Sequence, residues 1–341
     1  MGPWPAGGGA KEQSLPRGVR WGKDSVLMQM CCVCGASPYF LSRMKKWILS
    51  LAAIALVFGP VASGYAADKI RVASLSTILT EVASEVGGDR VQVVALVKPG
   101  TDPHQYEPKP ADLKELATCR LVLASGKHME GYITKLKESA GVKGDLILVG
   151  DRFPSLKMRT DEGGKGSMVE DPHWWHSVEN VQRAAQIVRD ELTKVSPEAK
   201  DDFSKNASAY VAGLESLKKW AKHKVTELPR EKRILITSHD AFQDFAKENG
   251  FKIQPVQGLS TEDEPSNKKV SQIIEVIKKD GVKAVFFGSM ENPKVTKELM
   301  RESGAKVGGT LYADGLTARG EASTYEGMIR HNITTIVDAL K

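Results

Sequence analysis

Between Pro197 and Pro229 the chain runs through residues 198–228 with no proline and a single glycine, Gly213. Proline suits the first turn of a helix and breaks its interior, so Pro197 opens a helical segment and Pro229 ends it. At about 1.5 Å per residue this helix reaches roughly 45 Å, enough to cross between two lobes. On each side of it, short β-branched runs alternate with longer amphipathic segments. That alternation argues for an α/β chain of parallel sheets with crossover helices.

In the first half, strands are expected at 70–73, 91–97, 121–124 and 146–149, and helices at 78–86, 111–117 and 130–139. Residues 152–170 are polar, contain Gly163-Gly164 and lack a period, which predicts a surface loop. Ser177 is a suitable N-cap, with Glu179 in the first turn, for a helix to about residue 193. In the second half, strands are expected at 233–237, 252–256, 284–287 and 309–312. Helices are expected at 241–248, at 268–279 behind a Ser266 or Asn267 cap, at 293–303 and at 325–340. The last helix buries a face of Met328, Ile333, Ile336 and Val337.

Ahead of this pattern, Lys45 and Lys46 precede an apolar run, 47–58, and a small-residue stretch, 59–66. These are the three parts of a secretory signal, with cleavage expected after Ala66. The apolar run is too short to span a bilayer comfortably. Met44 is the expected start of translation, which makes 1–43 an upstream extension and 44–66 the signal peptide. Residues 1–66 carry seven Lys/Arg and two Asp/Glu, so their removal takes the net charge from +6 to +1. A near-neutral chain offers no basic footprint for nucleic acid. Cys31, Cys32 and Cys34 fall in the removed segment, leaving Cys119 and no internal disulfide. No cysteine follows the apolar run as a lipid-modified one does, so a free soluble protein in the periplasm is expected.

Ligands of open α/β sheets bind beyond the carboxyl ends of the strands. His104 follows the second strand, in a loop opened by Pro99-Gly100. His239 and Asp314 follow strands of the second half directly. His173, in Asp171-Pro172-His173-Trp174-Trp175-His176, precedes a helix in a loop that can face the same cleft. Three imidazoles and a carboxylate, two from each half, suit a borderline divalent cation such as zinc. The competing reading is four unrelated polar residues at strand ends, with the tryptophans as core.

Five stretches resemble a known family, in its order and at its spacing. They are Pro103-His104-Gln105-Tyr106-Glu107-Pro108, Asp171-Pro172-His173-Trp174-Trp175, Thr237-Ser238-His239-Asp240-Ala241-Phe242, Gly258-Leu259-Ser260-Thr261-Glu262-Asp263-Glu264-Pro265-Ser266, and Tyr312-Ala313-Asp314-Gly315-Leu316. The chain is similar to the periplasmic substrate-binding proteins of ABC importers for zinc or manganese. The resemblance implies two pseudo-similar lobes, 67–196 and 229–341, joined by one long rigid linker helix, 197–228. It also implies one metal in the interlobe cleft, held by His104 and His173 from the N-terminal lobe and His239 and Asp314 from the C-terminal lobe.

Glu264 and Ser266 are implied as support at the lobe interface. The partners implied are a divalent metal ion and an inner-membrane ABC permease with a separate ATPase, served by a monomer that is not an enzyme. Manganese-leaning relatives tend to carry a carboxylate at the third position. His239 therefore favours Zn2+ as the transported ligand over Mn2+, although the His-rich acidic loop of many zinc members is missing.

His176 is expected beside the site or exposed, and His128, after a strand end, has a bland surface reading, with an approach to the cleft as the minor alternative. Trp174 or Trp175, packed behind His173, is expected to fix its loop. The contrasting class is a secreted zinc hydrolase with an open water position. No His-Glu-x-x-His helix is present, and a fourth protein ligand at Asp314 closes the shell such an enzyme keeps open.

Overall fold

The computed structural model describes residues 68–138, 143–159, 168–263, 265–289 and 294–341. The signal segment, its cleavage point and the Met44 start lie outside the described residues. No helix among those described is long and apolar enough to cross a membrane.

The first half builds a parallel sheet from β1 (Ile70–Ser74), β2 (Val91–Ala95), β3 (Leu121–Ala124) and β4 (Asp145–Leu148), in the order β2-β1-β3-β4. Val72 stands level with Val93 on one side and Leu121 on the other. Helices α1 (Thr77–Gly87), α2 (Pro110–Leu116) and α3 (Ile133–Glu138) lie between these strands in the chain. Ile78, Leu79, Val82, Ala83 and Val86 form the buried stripe of α1, the 3.6-residue period that packs a helix on a sheet.

Two three-residue strands, β5 (Lys157–Arg159) and β6 (Met168–Glu170), pair antiparallel and lead into the next helix, α4 (Val178–Val195). This ribbon lies where a plain loop was expected, because three residues are too few to show a strand period. Ser177 caps α4 as expected, its hydroxyl accepting from the Asn180 N–H at 3.3 Å.

The long helix α5 (Lys200–Val225) follows a 3-10 turn at Pro197–Ala199 and spans about 39 Å. Phe203, Ala207, Leu214, Leu217, Ala221 and Val225 form one buried stripe along it. That stripe meets α1 and α4 of the first half and the C-terminal helix of the second. The helix is thus a packed spine, and burying each of its leucines contributes about 1.5–3 kcal/mol.

Beyond the spine come β7 (Ile234–Thr237), α6 (Gln243–Asn249), β8 (Lys252–Pro255), α7 (Asn267–Asp280), β9 (Ala284–Gly288), α8 (Lys294–Ser303), β10 (Lys306–Leu311) and α9 (Tyr325–Leu340). The second sheet has the order β10-β9-β7-β8, so each half arranges its strands as second, first, third, fourth. β10 begins three residues before the expected strand. A register shift between Val307 and Gly309 accommodates the glycine pair, with φ +137° at Gly309, and hides the strand's period in the sequence. One apolar core runs from β1 through α5 to α9, joining both halves.

Candidate metal centre

Residues that follow the carboxyl ends of strands in both sheets converge on one centre. β2 ends at Ala95 and leads to His104; β7 ends at Thr237, two residues before His239; β10 ends at Leu311, three before Asp314. His173 stands between β6 and a 3-10 turn, Trp174–His176. His104 and His173 are each the third residue of an Asp-Pro-His turn. In both turns the aspartate Oδ1 accepts the histidine's backbone N–H, at 2.9 Å from Asp102 and 2.9 Å from Asp171.

The structure brings the four sequence-predicted residues together, each offering a ligand atom within 4.8 Å of the others. The Nε2 atoms of His104 and His173 are 3.2 Å apart. Asp314 Oδ1 lies 3.1 Å from His239 Nε2, 3.4 Å from His104 Nε2 and 3.6 Å from His173 Nε2. Ligands about 2.0–2.1 Å from a tetrahedral ion stand about 3.3 Å apart, which is the spacing of these four separations. The side chains of His173, His239 and Asp314 are 0%, 1% and 2% exposed, whereas His104 keeps 9%.

Burial, with the neighbouring His104 and His239, holds the His173 imidazole well below its usual protonation range. Burial works against charge on Asp314 as well, but the attraction of His239 and hydrogen bonds from His104 and His239 outweigh it and keep the carboxylate ionised. A cation entering here would take the place of the protons that His104 and His239 share with Asp314, and would meet three imidazole donors and one carboxylate.

Asp171 has a part that sequence reasoning did not assign. Its Oδ1 also accepts from His173 Nδ1, at 3.0 Å, which puts the proton on Nδ1 and leaves Nε2 free to bind metal. Burial pushes the Asp171 carboxyl up to about 7, against the His173 N–H that favours its anion. The repetition of Asp-Pro-His at 102–104 and 171–173 was the signal for both aspartates.

Behind His173 lies Trp175, its ring centroid 5.5 Å away, and behind that Trp174 at 5.8 Å. Trp174 Nε1 donates to Ser125 O at 3.1 Å. Trp175 Nε1 and His176 Nε2 both donate to the carbonyl of Ala313, each at 2.8 Å, next to Asp314 in the other lobe. His176 is therefore buried, not exposed. It stacks on Phe242 at 4.3 Å, and burial, helped by the nearby His173, holds its imidazole down at about 3.

His128 does not reach the cleft; it is exposed. Gly126, Lys127 and His128 all take positive φ, and this turn sends Lys127 inward, where its ammonium donates to Phe153 O at 3.1 Å. Glu264 lies outside the described residues. Ser266 is exposed and caps α7 through the Lys269 N–H at 3.2 Å. Thr261, from the same stretch, makes the interlobe contact, donating to Asp102 Oδ2 at 2.7 Å.

A family profile described as ZnuA, the periplasmic zinc-uptake complex component A, matches residues 72–339. The chain belongs to this family. The manganese-binding lipoprotein MntA of Bacillus subtilis is 33% identical over 290 residues, 83% of this chain and 94% of its own length. The manganese ABC transporter substrate-binding lipoprotein PsaA of Streptococcus pneumoniae is 28% identical over 311 residues, 87% of this chain and 99% of its own. Among solved structures, the periplasmic zinc binding protein TroA of Treponema pallidum superposes with a TM-score of 0.73 at 28% identity, covering 80% of this chain and 99% of TroA. ZnuA-family members are substrate-binding proteins of ABC transporters, so the hydrolase alternative falls and the chain is an extracytoplasmic binding protein for a divalent metal. The names of these three divide between zinc and manganese, and a further relative, YfeA of Yersinia pestis, is named an iron-binding protein.

Proposed function

We propose that the protein captures zinc in the periplasm, with His104, His173, His239 and Asp314 as its four ligands, and delivers it to an inner-membrane ABC permease driven by a separate ATPase. The observation that carries this is the convergence of three imidazoles and one carboxylate, each offering a ligand atom within 4.8 Å of the others. Three nitrogen donors with a single oxygen suit zinc better than manganese, which favours oxygen. The names of MntA and PsaA support manganese as the second reading. Both are also named lipoproteins, whereas Cys119, the one cysteine after residue 66, is buried within the fold, and a free monomer is proposed here.

Metal analysis of protein purified from its exporting host without added metal or chelator tests the choice of ion. One zinc per chain is the expected result; one manganese, with zinc unable to displace it, would overturn the zinc reading.

A further inference from the structure

We infer that metal enters and leaves past His104, and that the hydrogen bond from Thr261 to Asp102 is the latch holding that edge closed. This rests on the ligand assignment above and concerns how the same site opens.

The two edges of the site are built differently. On the His173 edge, Trp175 and His176 both grip the Ala313 carbonyl, and Tyr325 Oη donates to the Trp175 carbonyl at 2.8 Å. All four of these residues are buried. Nearby, the Leu316 N–H donates to Thr77 Oγ1 at 2.8 Å, again between the lobes. Opening the cleft here strips several buried polar groups of their partners at once, which leaves them neither bonded nor hydrated.

The His104 edge is lighter. His104 is the most exposed of the four, and it stands on an irregular loop between β2 and α2. Asp102 does two jobs in that loop. Its Oδ1 takes the His104 N–H, and its Oδ2 takes the Thr261 hydroxyl from the C-terminal lobe, 159 residues away in sequence. Thr261 is held in place by its own loop, in which Asp263 Oδ2 accepts the Ser260 N–H at 3.0 Å and the Asp263 carbonyl accepts from Gln257 Nε2 at 2.9 Å. One carboxylate thus sets the backbone of a ligand and grips the opposite lobe. Losing the Thr261 contact frees the His104 loop without touching a ligand, while the His173 edge stays joined.

The latch belongs to the form in which the four ligands converge, so losing it speeds release and leaves capture alone. The test uses the mature chain loaded with Zn2+, mixed rapidly with excess chelator, in wild type, Thr261→Val, Thr261→Ser and His173→Ala. Thr261→Val keeps the shape of the side chain and loses the hydroxyl. It is expected to release zinc about tenfold faster, on the scale of one charge-assisted hydrogen bond. Its association rate and the unfolding temperature of its metal-free form are expected to match wild type. Thr261→Ser, which keeps the hydroxyl, restores slow release. Wild-type release from Thr261→Val, or fast release from Thr261→Ser, overturns the latch. Wild-type affinity in His173→Ala overturns the ligand assignment instead, so the two failures are distinguishable.

Discussion

The tripeptide Asp-Pro-His occurs at 102–104 and again at 171–173, with one backbone solution and two different surroundings. In both, the aspartate accepts the histidine N–H at 2.9 Å and so aims the imidazole into the cleft. Asp171 and the residues after it are buried, the second nitrogen of His173 is held as well, and indole rings pack edge-to-face behind. Around Asp102 the chain is partly open, and the spare carboxylate oxygen reaches across to Thr261. A short motif can specify how a ligand is presented. What packs behind it decides whether that ligand is a fixed platform or a gate.

The largest effect that can break this comparison comes from removing each imidazole in turn. His173→Ala leaves a dry, buried gap that water cannot readily fill, and zinc affinity is expected to fall by about 10³-fold or more, in line with breaking a buried charged contact. His104→Ala leaves a position that water reaches, and a smaller loss of about 10–100-fold is expected. Competition titration against a chromophoric chelator measures both. Equal losses, or a larger one at His104, would erase the distinction between platform and gate.

A middle-sized effect sharpens the role of Asp171. Asp171→Ala removes the acceptor that sets the His173 tautomer and is expected to weaken zinc binding by about 10–100-fold, as loss of such partners does. Asp171→Asn keeps an acceptor oxygen and is expected to lose less. If the two variants bind alike, charge rather than orientation is what Asp171 supplies.

The smallest effect reads the support beneath the platform. Glu130 accepts the N–H groups of Ser125 and Gly126, at 2.5 and 3.0 Å, and Ser125 in turn takes the Trp174 indole. Burial pushes the Glu130 carboxyl up to about 7, against those hydrogen bonds. The folded chain therefore holds this proton more tightly than the unfolded one. The stabilisation is fully present below the unfolded pKa near 4.5 and is lost as pH rises through about 7. Glu130→Gln does not titrate, so the unfolding-temperature difference between metal-free wild type and this variant is expected to shrink from pH 5 to pH 8. Asp240 and Asp244, which burial also pushes up to about 7, are common to both proteins and cancel. A constant difference across that range would remove Glu130 from the account.

Much of this was legible in the chain because strands and helices with a full period announce themselves. Both four-stranded sheets, the α4 cap and α9 at Tyr325–Leu340 follow from alternation and capping residues. The convergence of His104, His173, His239 and Asp314 was legible for a related reason, since three of them follow the carboxyl ends of parallel strands, where ligands of α/β sheets bind. β5 and β6 were not, being three residues each. The start of α3 moved from the expected residue 130 to Ile133 because Glu130 folds back onto the turn before it. The inward turn of Lys127 was not legible either, because it rests on left-handed backbone at Lys127 and His128. Thr261 lies in a stretch that carried the resemblance, but its contact was not legible, because its partner is another loop in the other lobe.

X-ray absorption at the zinc edge of the loaded protein tests the four-ligand centre most directly. The account predicts three imidazole nitrogens and one carboxylate oxygen at about 2.0–2.1 Å, with one imidazole lost in His173→Ala. A shell with fewer than three imidazoles, or one unchanged by His173→Ala, would contradict it.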